Sequence, residues 1–156
     1  VDLSREVIHY ARQHAAQAGC NNIEFLAADL SDFDRSAPHE SLDFVTTFDA
    51  IHDQGRPLNV LRGIQRALKP DGVCLMQDIS GTSDVHQDIK HPTGPFLCTI
   101  SCTHCMTVSL AQGGEGLGAM WGEEKTWEYL QQAGFRSIVT HRLAHDLQNN
   151  WYVVTK

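Results

Sequence analysis

The sequence predicts an α/β fold in which parallel strands are joined by crossover helices and the chain closes on an antiparallel strand pair. Three observations carry this prediction. Short β-rich runs alternate with runs of helical apolar periodicity, and the links between them are short. Lys69-Pro70-Asp71-Gly72 stops one helical run and turns directly into an apolar strand. The last two β-rich runs are joined by a link too short for a helical crossover, which leaves only an antiparallel pairing.

Taken in order, Val1-Asp2-Leu3 reads as the tail of a strand. Ser4 is a good helix N-cap, Glu6 suits the positive end of the helix dipole, and Val7, Ile8, Tyr10, Ala11, Ala15 and Ala18 recur at helical spacing up to Gly19. Ile23 to Ala27 predicts a short strand, leading into Ala28-Asp29-Leu30, and a polar loop with Pro38 follows. Leu42 to Phe48 is rich in β-formers. Pro57 suits the first turn of a helix whose apolar face is Leu58, Val60, Leu61, Ile64 and Leu68, and Val73 to Gln77 is the next strand.

Residues 80–95 predict a polar loop, Phe96 to Gln112 a helix, and Gly113, Gly114 and Gly116 a flexible break. Glu123 to Ala133 predicts an amphipathic helix with Trp127 and Leu130 inward and Gly134 as its stop. Phe135 to Leu143 and Trp151 to Thr155 form the final strand pair, with Asn149-Asn150 in the loop between them. No internal repeat or linker divides the chain, so residues 1–156 are expected to form one domain.

The chemistry of the composition narrows the function. The chain has 156 residues, of which 42% are hydrophobic and 20% charged, with no apolar run long enough to span a bilayer. A net charge of −7 disfavours nucleic acid as a partner, because phosphate binding needs clustered Lys and Arg. Five irregularly spaced cysteines, without a visible signal peptide, predict a reducing, cytoplasmic setting. Cys98, Cys102 and Cys105 fall at i, i+4 and i+7 of the predicted helix, beside His104. A thiolate–imidazole zinc site and plain core packing are both open readings, with packing ahead and no metal assigned.

Several stretches carry a family resemblance: VDLS at Val1 to Ser4, AADL at Ala27 to Leu30, and LKPDGVCLMQDI at Leu68 to Ile79. The sequence resembles the class I S-adenosylmethionine-dependent methyltransferases, which have a Rossmann-like fold. PFLCTISCTHCMTVSLAQGGEGLGAMWGEEK (Pro95 to Lys125) and HDLQNNWYVV (His145 to Val154) are similar to a bacterial subfamily whose longer members carry an N-terminal winged-helix-like segment. The resemblance implies S-adenosylmethionine as cofactor, S-adenosylhomocysteine as product, and a small-molecule methyl acceptor under a lid formed by residues 80–120. Asp2 would accept hydrogen bonds from both ribose hydroxyls, and Leu3 would pack on the adenine. Asp29 would accept from the adenine amino group, with Ala28 and Leu30 offering backbone groups, and the Phe48 carbonyl would lie near the methionine ammonium. Two plainer roles stand beside these: Asp2 as part of a helix cap and Asp29 as a turn acid.

His52-Asp53 follows the strand that ends at Phe48. Methyl transfer is an in-line displacement that often needs a base to take the acceptor's proton, and His52 can serve as one. The other reading has Asp53 capping the helix that begins near Pro57 while His52 shapes a pocket wall. His104 is a second candidate base; His141, His145, Trp121, Trp127 and Trp151 read as structural.

The family's glycine-rich loop after a first strand does not occur in this sequence. Gly113-Gly114-Glu115-Gly116-Leu117-Gly118 follows a predicted helix, the wrong context for a nucleotide loop. The chain is therefore expected to be a truncated C-terminal portion of the domain, with open strand edges that invite a homodimer and little cofactor binding by itself. A non-catalytic module that dimerises is the alternative reading, and a short nucleotide-binding oxidoreductase a third.

Overall fold

The Ser4 side chain accepts a hydrogen bond from the Val7 N–H at 3.2 Å and so opens helix α1 (Arg5–Gln17), a cap worth about 1 kcal/mol. Gly19, at φ +70°, ends it in the left-handed conformation the sequence predicts. The computed structural model describes all residues from Val1 to Lys156, and these divide into two compact units, residues 1–30 and 31–156.

In the first unit the chain returns beside its own start. Asp2 N–H donates to the Leu26 carbonyl and Ala28 N–H donates to the Asp2 carbonyl, both at 3.0 Å, giving one parallel bridge between Asp2 and Ala27. The strand predicted over Ile23–Ala27 is thus a single rung, because by Ser4 the chain is already turning into the helix cap. Arg12 ties α1 to this segment by donating to the Phe25 carbonyl at 2.6 Å. Of the apolar residues at helical spacing in α1, only Ile8 is buried; Val7 and Tyr10 are exposed.

The second unit holds a four-stranded sheet. A short helix, α2 (Phe33–Ser36), lies where the sequence predicts only loop. There follow β1 (Leu42–Phe48), α3 (Pro57–Ala67) and β2 (Leu68–Ile79). Pro57 occupies the first turn of α3, where its missing N–H has no partner to lose. β2 begins earlier than predicted: Leu42 pairs with Leu68 and Phe44 with Val73, so the Lys69–Gly72 turn bulges out within one continuous ladder. After the insertion come α7 (Glu123–Gln132), β3 (Ser137–Leu143) and β4 (Asp146–Thr155). Asn149 and Asn150 belong to β4 and not to a loop, because they pair with Ile79 and Asp78 of β2.

The strand order is β1-β2-β4-β3, with β1 parallel to β2 and the last pair antiparallel, as the sequence predicts. Alternation gives this sheet two unlike faces. Cys74, Met76 and Asp78 stand opposite Val154, Tyr152 and Asn150, and all six are buried. α3 packs against α7 and β2, placing Leu61, Ala67 and Leu130 in the core with no exposed surface. The other face carries Phe44 and Phe48, 57% and 55% exposed, with Phe48 edge-on to Trp151.

The insertion between β2 and α7 contains α4 (Val85–Asp88) and then one continuous helix in three parts: α5 (Gly94–Ile100), a π-helical turn (Ser101–Cys105) and α6 (Met106–Ala111). The glycine run after it is a close-packed seam and not a flexible break. A Cβ on Gly114 would sit 2.4 Å from Gly55 Cα, and Glu115 N–H donates to the Gly55 carbonyl at 3.2 Å. Tyr129 of α7 donates to the Glu115 carboxylate. Gly116 N–H donates to Ser109 Oγ at 3.1 Å, so the run is held on both sides.

Candidate functional site

β1 ends at Phe48 and turns through Asp49, which takes φ +44° although it carries a side chain. Strained, left-handed backbone of this kind clusters at working sites. The Asp49 carboxylate accepts from Gln77 Nε2 at 3.0 Å, and its N–H donates to the Gln77 carbonyl at 3.1 Å, so β2 fixes the turn. Desolvation raises the Asp49 pKa above the ordinary carboxylate value, with Asp78 adding to the shift.

This turn delivers Ile51 and His52 into the interior. His52 is 3% exposed, and its Nδ1 lies 2.6 Å from Oδ1 of Asp78, which is fully buried near the end of β2. The Ile79 N–H donates to the same oxygen at 2.9 Å. Burial pulls the imidazole pKa down, but Asp78, Asp53 and Asp49 outweigh it and the net shift is upward. With Asp78 Oδ1 accepting from Nδ1–H, the tautomer is fixed and Nε2 is left as the reactive nitrogen. The dyad stands at the C-terminal edge of the parallel strands, where open α/β sheets bind their ligands.

Nε2 faces Asp53, whose Oδ1 lies 3.4 Å away. That oxygen is buried. Asp53 does not cap α3: the N-cap is Arg56, and no side chain bonds there. Cys105 completes the group, with the donor atoms of His52, Asp53 and Cys105 all within 4.8 Å of one another. Burial, with Asp53 adding to it, pushes the Cys105 thiol up to about 11.

The π turn explains why Cys105 parts from its neighbours. On a regular helix Cys98, Cys102 and Cys105 would share a face, but the wider turn shifts the register. Ser101, Cys105 and Ser109 now form the buried row, Cys102 is exposed and Cys98 is half-buried. His104 is exposed beside them. The sequence reading reached His52 but missed Asp78 as its partner. The signal was there in an acid set at the end of the apolar run Val73 to Ile79.

The end of β2 and the β3–β4 hairpin frame a cleft of about 450 Å³ lined by Ser80, Thr82, Glu123, Arg142, Asn149 and Asn150 among others. Asn150 is 2% exposed and its Oδ1 has no hydrogen-bond partner. The cleft therefore offers polar groups of both kinds to a small ligand.

The residues expected to meet the adenosine lie in the first unit. Asp2 uses Oδ1 to accept from Ser4 N–H at 2.7 Å and is otherwise exposed, so the cap reading holds for one of its oxygens. Leu3 is exposed beside it. The bridge between Asp2 and Ala27 brings the Ala28–Leu30 segment next to Asp2 along the chain's return. Ala28 spends its N–H on the Asp2 carbonyl, leaving only its own carbonyl for a ligand. Phe48 lies in the second unit, its ring on the open sheet face.

A family model described as a methyltransferase domain matches residues 1–134. Similar solved structures include a SAM-dependent methyltransferase from Aquifex aeolicus (TM-score 0.66, 16% identity), which covers 97% of this chain and 64% of its own. An O-methyltransferase family protein from Burkholderia thailandensis matches with a TM-score of 0.72 at 17% identity, over 99% of this chain and 42% of its own. PigF, solved with SAH, matches with a TM-score of 0.70 at 18% identity, over 97% of this chain and 41% of its own. The chain thus spans roughly two fifths to two thirds of the length of these structures. Curated proteins give no match.

Proposed function

Since this chain belongs to the methyltransferase domain family, we propose that it serves S-adenosylmethionine-dependent methyl transfer to a small-molecule acceptor, with His52 as the base. The observation that carries this reading is the buried His52–Asp78 dyad at the C-terminal edge of the parallel strands.

The first unit suits the adenosine half of the cofactor. Asp2 has a carboxylate oxygen beyond the one held by Ser4, and an exposed Leu3 lies beside it for an apolar ring. Asp2 would take the ribose hydroxyls, Leu3 the adenine face, and Ala28, Asp29 and Leu30 the adenine edge. The Phe48 carbonyl is assigned, on resemblance alone, to the methionine ammonium. When bound, the cofactor supplies a sulfonium methyl group for in-line displacement.

His52 does the remaining work. Asp78 holds the imidazole through Nδ1, so Nε2 accepts the proton as an acceptor hydroxyl or similar group attacks. Asp78 then stabilises the imidazolium without itself taking the proton. The cleft near Asn150 is the proposed acceptor site, and the 80–120 insertion its cover. Edge strand β1, with exposed Leu42 and Phe44, is where a homodimer would form.

A screen of small hydroxylated acceptors with methyl-labelled S-adenosylmethionine tests the reading. Label transfer that disappears in His52→Ala is the expected result. Undiminished transfer by that variant would remove His52 as the base. Calorimetry with S-adenosylhomocysteine, comparing the native chain with Asp2→Ala, tests the cofactor assignment separately.

A further inference from the structure

We infer that His52 Nε2, an Asp53 carboxylate oxygen and Cys105 Sγ form a three-ligand site for zinc, with the fourth position open. The inference goes beyond methyl transfer and does not rest on it.

The donor set is the first argument. One imidazole, one carboxylate and one thiol converge within 4.8 Å, and His52 and Cys105 are buried while Asp53 is partly exposed. Nitrogen, oxygen and sulfur together suit zinc, and a thiolate disfavours magnesium or calcium. Spacing agrees. Zinc bonds of about 2.0 Å to nitrogen and oxygen set two tetrahedral ligands about 3.3 Å apart. Nε2 and Oδ1 are 3.4 Å apart.

The second argument is what these atoms lack. With Nδ1–H given to Asp78, a neutral His52 points the lone pair of Nε2 toward a buried carboxylate oxygen. Two lone pairs set face to face in the interior repel, and a cation between them, a proton or a metal ion, removes the conflict. Asp78 meanwhile supplies the outer-sphere carboxylate that metal-bound histidines almost always have.

The third argument is the helix. A π turn ends at Cys105 and sets that thiol on the buried row in place of Cys102. π turns of this kind recur at functional sites. On its other side Cys105 packs with Ile79, Leu97 and Ala119, so the apolar cluster holds the sulfur in place. Partly exposed Asp53 gives the ion a way in. Zinc and a proton compete for the same lone pair on Nε2, so a zinc-loaded chain has no free base at His52.

The test is Co²⁺ titration of the full chain without cofactor or acceptor, followed by displacement with Zn²⁺ against a chromophoric chelator. One equivalent per chain is expected, with a thiolate-to-cobalt charge-transfer band that vanishes in Cys105→Ser. Asp53→Asn, at a partly exposed site where folding is not at stake, should weaken binding by roughly tenfold or more, and Asp78→Asn by about 10–100-fold. Failure to take up one equivalent, or a band that survives Cys105→Ser and disappears in Cys102→Ser, would overturn the site. Because the readout needs no methyl transfer, either inference can fail while the other stands.

Discussion

Nδ1 of His52 lies 2.6 Å from Oδ1 of Asp78, and both side chains are sealed from solvent. A loop residue and a strand residue 26 positions apart thereby act as one unit. Asp78→Asn keeps the shape but offers an amide where the imidazole needs an acceptor, so the tautomer is no longer fixed. Methyl transfer is expected to fall about 10²–10⁴-fold in both Asp78→Asn and His52→Ala. Their double variant should be little worse than either single one, since the pair acts together. Single-turnover label transfer, with circular dichroism as a folding control, measures this.

Gly63 reverses the usual rule for helix glycines. Alanine inside a helix ordinarily gains about 1 kcal/mol over glycine. Here a Cβ would lie 2.3 Å from Phe33 Cδ1 and 2.7 Å from the Phe33 carbonyl oxygen, where α2 crosses α3. Gly63→Ala is expected to cost about 1–3 kcal/mol instead, read as a lower urea midpoint. A midpoint that rises would show that α2 gives way freely.

Much of this packing was legible in the sequence. Ser4, Pro57 and Gly134 each carry their own local chemistry, and the structure uses all three as predicted, whereas the Lys69–Gly72 turn became a bulge inside β2. Leu42–Phe48 and the antiparallel end follow from alternation and link length. The partnerships of Asp78 with His52, and of Cys105 with His52 and Asp53, were not legible, because one needs β2 to be set against the His52 loop and the other needs the π turn. Neither relation leaves a periodic trace. Asn149 and Asn150 read as loop by residue type, and pairing with β2 overrode that preference.

Thiol reactivity should follow burial and not sequence spacing. Cys20 and Cys102 are exposed, whereas burial pushes the Cys74 thiol up to about 12. Alkylation of the native chain near pH 8, followed by peptide mass mapping, is expected to mark Cys20 and Cys102 first and to leave Cys74 unmodified until denaturant is added. Early labelling of Cys74 would show that the β2–β4 ladder opens readily.

Glu124 links the insertion to α7 in a pH-dependent way. Its carboxylate accepts from the Ser83 N–H at 3.0 Å and from Ser83 Oγ at 3.3 Å. Its own backbone N–H first, then that of Ser83, hold its pKa below the ordinary 4.5. A depressed carboxyl stabilises the fold above the unfolded value and loses that contribution as pH falls through the folded one. Glu124→Gln is expected to cost at most about 1 kcal/mol at neutral pH, since the group is exposed and screened. The difference should vanish in acid. Urea titrations at a series of pH values below 7 would show the two curves converging.

The contact between Gly55 and Gly114 bears on how freely the insertion can be exchanged. Backbone rests on backbone there, three residues from His52, with no side chain between them to absorb a change. The insertion is therefore no interchangeable cassette: a foreign segment grafted at residues 80–120 would have to reproduce that glycine seam or displace the His52 loop. Point changes around α4, away from the seam, leave the His52 loop in place where wholesale replacement of the insertion would not.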